Sequence, residues 1–150
     1  MVVRKIEGAF TVCKVSDLSG VELGAECCFV GKTNEGISVI CQTKDAPGTS
    51  MDREDGWSAF SVEGGLDVSR TAVLAEISAL LTEEQNEGLV FSAFDKEYMF
   101  VKQQFEMKIL SRLSGKGYEI STGDAYGDYF INRSVTDIMS EYGEQEDEWT

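Results

Sequence analysis

The stretch "FSVEGGLDVSRTAVLAEISALLTEEQNEGLVFSAFDKEYMFV" (residues 60–101) holds each kind of element from which the fold is built. It begins as an apolar strand, turns at two glycines, continues as a helix, and ends in two strands around a polar turn. Apolar residues recur three or four positions apart in the helical part, which predicts one buried face between about residues 68 and 84. That face consists of Val73, Leu74, Ile77, Leu80 and Leu81.

The flanking segments complete this pattern. Residues 57–64 alternate as a strand, residues 104–117 predict a second amphipathic helix that ends at two glycines, and residues 118–121 form a closing strand. The order from residue 57 is therefore β-α-β-β-α-β. It predicts an α+β fold of the ferredoxin-like kind, an antiparallel sheet with two helices on one face.

The first third of the chain looks like a reduced copy of the same unit. Residues 5–15 read as a strand, residues 17–26 as a short helix or turn, and residues 27–43 as a hairpin. Residues 44–57 are polar, contain the single proline and are the best linker candidate. We therefore divide the chain into a truncated N-terminal unit (1–56), a complete C-terminal unit (57–121) and an acidic C-terminal extension (122–150).

Charge and hydropathy exclude several kinds of partner. The net charge is −14, from 27 acidic and 13 basic residues. Such a chain repels nucleic-acid phosphates and anionic membrane surfaces, so neither is expected as a partner. It has no apolar run of membrane-spanning length and no apolar leader at its N-terminus, which predicts a cytoplasmic protein.

The side chains needed for most catalytic schemes are missing. The sequence has no histidine, which excludes Ser–His and Cys–His nucleophiles. Its cysteines, Cys13, Cys27, Cys28 and Cys41, lack the spacing of a zinc site, so we expect free thiols in a reducing compartment. We expect no metal, no cofactor and no enzymatic activity.

Four stretches carry a resemblance to ACT-domain proteins. They are "KIEGAFTVCKV" (5–15), "DREDGWSAFSVEG" (52–64), "LDVSRTAVLAEISALL" (66–81) and "FSAFDKEYMFVKQ" (91–103). The chain looks most like proteins with two ACT-like units in tandem, a group similar to the regulatory region of aspartate kinases and to cytosolic arginine sensors. The resemblance implies a regulatory module, homodimeric, that binds an amino acid between its units.

The resemblance places the ligand loop between the first strand and first helix of the second unit. Glycines there permit close backbone approach, and the start of the helix offers N–H groups and the positive dipole end to a ligand carboxylate. Asp67 or nearby carbonyls would receive the ammonium group. The alternative is an ordinary turn with Asp67 or Ser69 as N-cap. The candidate ligand-binding residues of this loop are Gly64, Gly65, Leu66, Asp67, Val68 and Ser69.

The following hairpin supplies the other candidates, Ser92, Phe94, Asp95 and Glu97. The resemblance implies backbone contacts and an acidic group opposite a guanidinium, with Glu97 in that position and Asp95 as the alternative. A carboxylate pairs bidentately with a guanidinium, which favours a basic ligand. Lys96, between the two acids, departs from the pattern and would neutralise the site. The alternative is that these charged residues belong to a solvated turn.

A second function class stays open. Val68, Ala72, Ala75 and Ala79 form a small-residue stripe on the first helix, to which another element can approach closely. With the acidic, aromatic extension, the stripe also fits a structural or protein-interaction module that has no small-molecule ligand.

Overall fold

A computed structural model describes residues 1–63, 69–84, 87–93 and 96–122. Their fold is mixed α and β, with a mainly antiparallel sheet and two α-helices. The strands are β1 (Val2–Val15), β2 (Cys28–Thr33), β3 (Gly36–Gln42), β4 (Asp52–Glu63), β5 (Leu89–Ser92), β6 (Glu97–Lys102) and β7 (Glu119–Ser121). The helices are α1 (Arg70–Glu83) and α2 (Glu106–Gly115), and 3-10 turns lie at Thr43–Asp45 and Gln103–Phe105.

The chain folds as two compact units. Residues 7–58 form one, which we call the β unit, and residues 1–6 join the described residues between 59 and 122 in the other, the α/β unit. The first residues belong to the α/β unit because Val2 to Arg4 pair in parallel with β7. The sequence-based bounds 1–56, 57–121 and 122–150 stay predictions, and residues 123–150 lie outside the described residues.

In the β unit the strand order is β2-β3-β1-β4. A two-residue turn between Thr33 and Gly36 joins β2 and β3, and β3 runs antiparallel to β1. The Met51 N–H donates to the Lys14 carbonyl oxygen at 2.8 Å where β1 and β4 meet. Every residue of this unit is described, and none of them lies in an α-helix, so residues 17–26 take the turn alternative. The unit's apolar core contains Cys13, Val15, Ile37, Val39 and Cys41.

In the α/β unit the strand order is β5-β6-β4-β1-β7. The first segment of β1 therefore separates the closing strand β7 from β4. Both helices contribute to the core of this unit. Its buried residues are Val3, Phe60, Val62, Val73, Ile77, Leu80, Leu81, Met99, Val101, Ile109, Leu110, Leu113, Tyr118 and Ile120.

Helix α1 confirms the prediction from apolar spacing. Four of the five predicted residues are buried, and Leu74 is half-buried. Ser69 is the N-cap, and its Oγ accepts a hydrogen bond from the Ala72 N–H at 3.4 Å. After the helix, Gly88 lies so close to Leu81 that a Cβ atom would stand 2.5 Å from Leu81 Cδ1. Glycine is therefore what lets the chain pass the helix and enter β5.

Ion pairs fix α2 against the rest of the α/β unit. Lys5 Nζ lies 2.6 Å from Oε1 of Glu106, a buried residue in the first turn of α2. At the end of α1, Glu84 Oε2 lies 2.7 Å from Lys108 Nζ, and Glu83 Oε2 lies 2.6 Å from Arg112 Nη2. These pairs hold α2 at both β1 and α1, and so support the sheet on which the site described below is built.

The predicted linker is only partly irregular. Strand β4 begins at Asp52, within residues 44–57. Asp52, Arg53, Glu54 and Asp55 are exposed, so this end of the strand carries no apolar pattern that a sequence reading detects. Within the described residues, no helix has the length and apolar character needed to cross a membrane.

Candidate functional site

The first turn of α1 and the β5–β6 hairpin meet through Arg70 and Glu97. Arg70 Nε donates to Glu97 Oε1 at 2.6 Å, and Ser92 Oγ donates to Glu97 Oε2 at 2.5 Å. Glu97 is only 2% exposed, so both oxygens of a buried carboxylate are satisfied by the chain itself. Such pairing is what permits a charge to stay buried.

Arg70 also binds the backbone of the hairpin turn. Its Nη2 donates to the carbonyl oxygens of Ala93 and Lys96, the latter at 3.3 Å. These carbonyls stand on either side of residues 94 and 95. One guanidinium therefore joins the start of a helix to both ends of a turn.

A second carboxylate, Glu63 at the end of β4, extends the cluster. Its Oε1 lies 3.1 Å from Lys96 Nζ and 3.8 Å from Arg4 Nε. We use the name helix–hairpin site for the following set of residues: Arg4, Glu63, Ser69, Arg70, Ser92, Ala93, Lys96 and Glu97. Among these described residues, the side chains carry three cations and two carboxylates.

The predicted binding residues fall into two groups. Ser69, Ser92 and Glu97 are described, and all three belong to the helix–hairpin site. Gly64, Gly65, Leu66, Asp67, Val68, Phe94 and Asp95 lie outside the described residues. Glu63 and Ser69 flank the first of these segments, and Ala93 and Lys96 flank the second. Both segments in which the sequence analysis predicts ligand-binding residues are therefore flanked by residues of this site.

The structure clarifies two of the alternatives. Ser69 caps α1, as the turn interpretation expects, and Glu97 is buried rather than solvated. The predicted role of Glu97, opposite a ligand guanidinium, stays a prediction. Its carboxylate pairs here with a guanidinium from the same chain.

Arg70 is the residue that the sequence analysis missed. It occupies the first turn of α1, where the helix dipole favours acidic residues, and that turn contains none. A cation at this position is unfavourable unless an anion elsewhere in the fold compensates it. That mismatch is the sequence signal that indicates a partner such as Glu97.

Two surface cavities lie in the β unit. One, of about 390 Å³, is lined by Glu22, Gly24, Ala25, Glu26, Gln42, Lys44 and Asp45. The other, of about 530 Å³, is lined by Val12, Cys13, Lys14, Ser38, Asp52, Arg53 and Glu54. In the part of the chain that the structure describes, no group of three or more cysteine, aspartate or glutamate side chains is arranged to hold a metal ion.

The elements that build the helix–hairpin site coincide with a family match. Residues 52–114 match the ACT domain family. The match begins with β4, includes α1 and the β5–β6 hairpin, and ends within α2. It covers less than half of the chain and contains every residue of the site except Arg4.

Solved structures show a similar fold. A protein from Agrobacterium tumefaciens superposes with a TM-score of 0.70 at 18% identity, over 81% of this chain and 92% of that one. A Vibrio cholerae protein of unknown function, described as a possible transport protein, gives 0.57 at 16% identity, over 74% and 85%. Aspartate kinase from Clostridium acetobutylicum, an allosteric enzyme, gives 0.51 at 10% identity, over 72% and 32%. At these identities the likeness concerns the fold alone.

The comparison with curated proteins finds no significant match.

Proposed function

We propose that this chain is a regulatory ACT-domain protein without catalytic activity that binds a small amino acid at the helix–hairpin site. The observation that carries the proposal is the Arg70 side chain, which ties the start of α1 to the turn of the hairpin. The two segments expected to hold the ligand are thereby anchored at one cluster, inside the region that matches the ACT family.

The charges of the cluster favour a particular kind of ligand. Arg4, Arg70 and Lys96 attract the carboxylate of an amino acid, and backbone carbonyls can accept hydrogen bonds from its ammonium group. A ligand guanidinium would have to compete with Arg70 for Glu97. We therefore favour an amino acid with a small neutral side chain over arginine.

We also infer that the β unit is a reduced second ACT-like unit, which makes the chain a tandem protein. Along the chain, the β unit consists of a strand, a turn segment, a hairpin, a 3-10 turn and a second strand. The α/β unit follows the same order from β4 to β7, but it has α1 in place of the turn segment and α2 after its 3-10 turn. The residues that precede the two 3-10 turns, Gln42 and Lys102, have φ of −62° each, with ψ of 142° and 139°. Turns thus replace both helices in the β unit.

Calorimetric titration of the full chain with each common amino acid tests the ligand proposal. We expect at least one to bind, and we expect Lys96→Ala to weaken its binding about 10- to 100-fold through loss of a charge-assisted contact. Lys116→Ala removes an exposed lysine after α2 and is the matched control, for which affinity is unchanged. No binding up to millimolar concentrations would overturn the proposal.

The rival function is a protein-interaction module. Ala72, Ala75 and Ala79 are exposed on α1, which leaves this side open to a partner; Val68, the fourth residue of the predicted stripe, lies outside the described residues. We further propose a homodimer in the cytoplasm. Sedimentation of the full chain and of residues 2–121 separates the cases. If the chain self-associates and no amino acid binds in the titrations, the interaction module is favoured. If the full chain and residues 2–121 are both monomeric, the homodimer proposal is contradicted.

A further inference from the structure

Three of the four cysteines lie together in the β unit. Cys13, on β1, and Cys41, on β3, are buried in its core, and half-buried Cys28, on β2, packs against them. Cys13 also lies near Cys41 and helps to raise the pKa of its thiol. All of the cysteines are free thiols. The functional site proposed above uses none of them.

The hairpin register places Cys28 directly opposite Cys41. In a two-residue hairpin the closing pair, here Thr33 and Gly36, is hydrogen-bonded, and the pairs then alternate along the ladder. Counting back through the register makes Cys28 and Cys41 a non-hydrogen-bonded pair. The Cα atoms of such pairs are about 4.5 Å apart, within the range of about 4.4–6.8 Å that a disulfide requires.

The same register disfavours the other pairings. Cys13 lies opposite Val39, so it is diagonal to Cys41. The Cα atoms of diagonal neighbours are about 7–8 Å apart, beyond the usual disulfide range. Cys27 precedes β2 and has no partner in the β2–β3 register. Only Cys28 and Cys41 combine direct opposition with adjacent strands.

We propose that Cys28 and Cys41 are a modification site that forms a cross-strand disulfide by exchange with a low-molecular-weight disulfide of the glutathione type. The Cys28 thiolate, which is the more exposed, attacks one sulfur of the oxidised glutathione and releases a first glutathione thiolate. The Cys41 thiolate then attacks Cys28 Sγ in the mixed disulfide and expels the second. Two cysteines are oxidised, one glutathione disulfide is reduced to two thiols, and the leaving thiolates take up the two protons.

The surroundings of the pair make this exchange slow at neutral pH. Burial raises the pKa of the Cys28 thiol above 9.0, helped by nearby Asp45, Cys13 and Glu22. Burial likewise raises the pKa of Cys41 to about 11, with contributions from Cys13, Cys28 and Asp45. Because the thiolate is the attacking species, the rate rises about tenfold per pH unit below these values. The pair is therefore oxidised only slowly at neutral pH.

Mass spectrometry of the full chain, incubated with oxidised glutathione and then quenched with acid, tests the proposal. We expect two free thiols to disappear, a peptide linked through Cys28 and Cys41, and a rate about tenfold higher at pH 8 than at pH 7. Cys41→Ser should stop at a glutathione adduct on Cys28, and Cys28→Ser should form neither product. Cys27→Ser is the matched control, because it removes the adjacent thiol and leaves the cross-link intact.

Several results would overturn the proposal. They are a link between Cys13 and Cys41, a link between chains, a glutathione adduct on wild-type Cys28 that never resolves, or four thiols that stay free. The same reaction in urea checks that the fold selects the pair, since an unfolded chain loses the preference for Cys28 and Cys41. None of these outcomes depends on whether an amino acid binds at the helix–hairpin site.

Discussion

Replacing Arg70 by alanine leaves the buried carboxylate of Glu97 without the cation that contacts its Oε1. Ser92 still donates to Oε2, but no other described contact reaches Oε1. The same substitution removes the hydrogen bonds to the carbonyls of Ala93 and Lys96. We therefore expect Arg70→Ala to destabilise the α/β unit and to loosen the hairpin turn.

The magnitude follows from the burial of the two partners. Removing one member of a buried ion pair costs about 3–5 kcal/mol. Glu97 is almost fully buried, whereas the Arg70 side chain is 47% exposed, so water can enter the space that the arginine leaves. We expect a loss of about 2–3 kcal/mol in the free energy of unfolding, below the range for a fully buried pair. Glu97→Gln in the same chain should recover about 1–2 kcal/mol of that loss by removing the unpaired charge.

Urea unfolding followed by circular dichroism measures these differences. Arg4→Ala is the matched control, because Arg4 also pairs with a carboxylate of the α/β unit, and both variants report on the same transition. Its pair with Glu63 is longer, at 3.8 Å, and joins an exposed arginine to a half-buried glutamate, so we expect a change below about 0.5 kcal/mol. A loss for Arg70→Ala as small as that of the control, or additive effects of Arg70→Ala and Glu97→Gln, would refute the reasoning.

Two further predictions concern other parts of the molecule. Gly88→Ala should destabilise by about 1–3 kcal/mol in thermal unfolding, because its Cβ would stand 2.5 Å from Leu81 Cδ1; an unchanged melting temperature would show that the helix end shifts freely. Hydrogen bonds from Thr11 and then Arg53 hold the pKa of Asp55 below its ordinary value of 3.8. The carboxylate's contribution to stability is therefore present above that pH and is lost as the pH falls through the lowered pKa. Acid titration should show the stability difference between wild type and Asp55→Asn shrink below about pH 4, and a constant difference would contradict this.

The parts of the fold that the sequence predicts are those with a strong apolar period. The sequence predicts helix α1 between about residues 68 and 84, because its apolar residues repeat with the helical turn, and the helix spans Arg70–Glu83. The start of β4 was not predicted, since its first four residues are charged and exposed. The pairing of β7 with Val2 to Arg4 was also missed, because no local pattern encodes contacts between the two ends of a unit.

In the candidate site, too, the sequence predicts the residues that have a local pattern and misses the contacts that only packing creates. The sequence identified Ser69, Ser92 and Glu97, because a cap residue and a hairpin acid have recognisable positions. It did not show that Glu97 is buried, since neighbouring Lys96 made the turn look solvated, nor that Arg70 is its partner. Arg70 and Glu97 are 27 residues apart, and only the packing of α1 beside the hairpin brings them together.

The contacts of Arg70 make the entrance of a helix and the end of a hairpin mechanically dependent on each other. The guanidinium of Arg70 binds one carboxylate and two peptide oxygens. A shift of α1 along its axis must therefore move the hairpin turn or break those hydrogen bonds. A ligand that ordered either the start of α1 or the hairpin turn would therefore also restrain the other. A conformational change at residue 69 would likewise alter the backbone at residue 96.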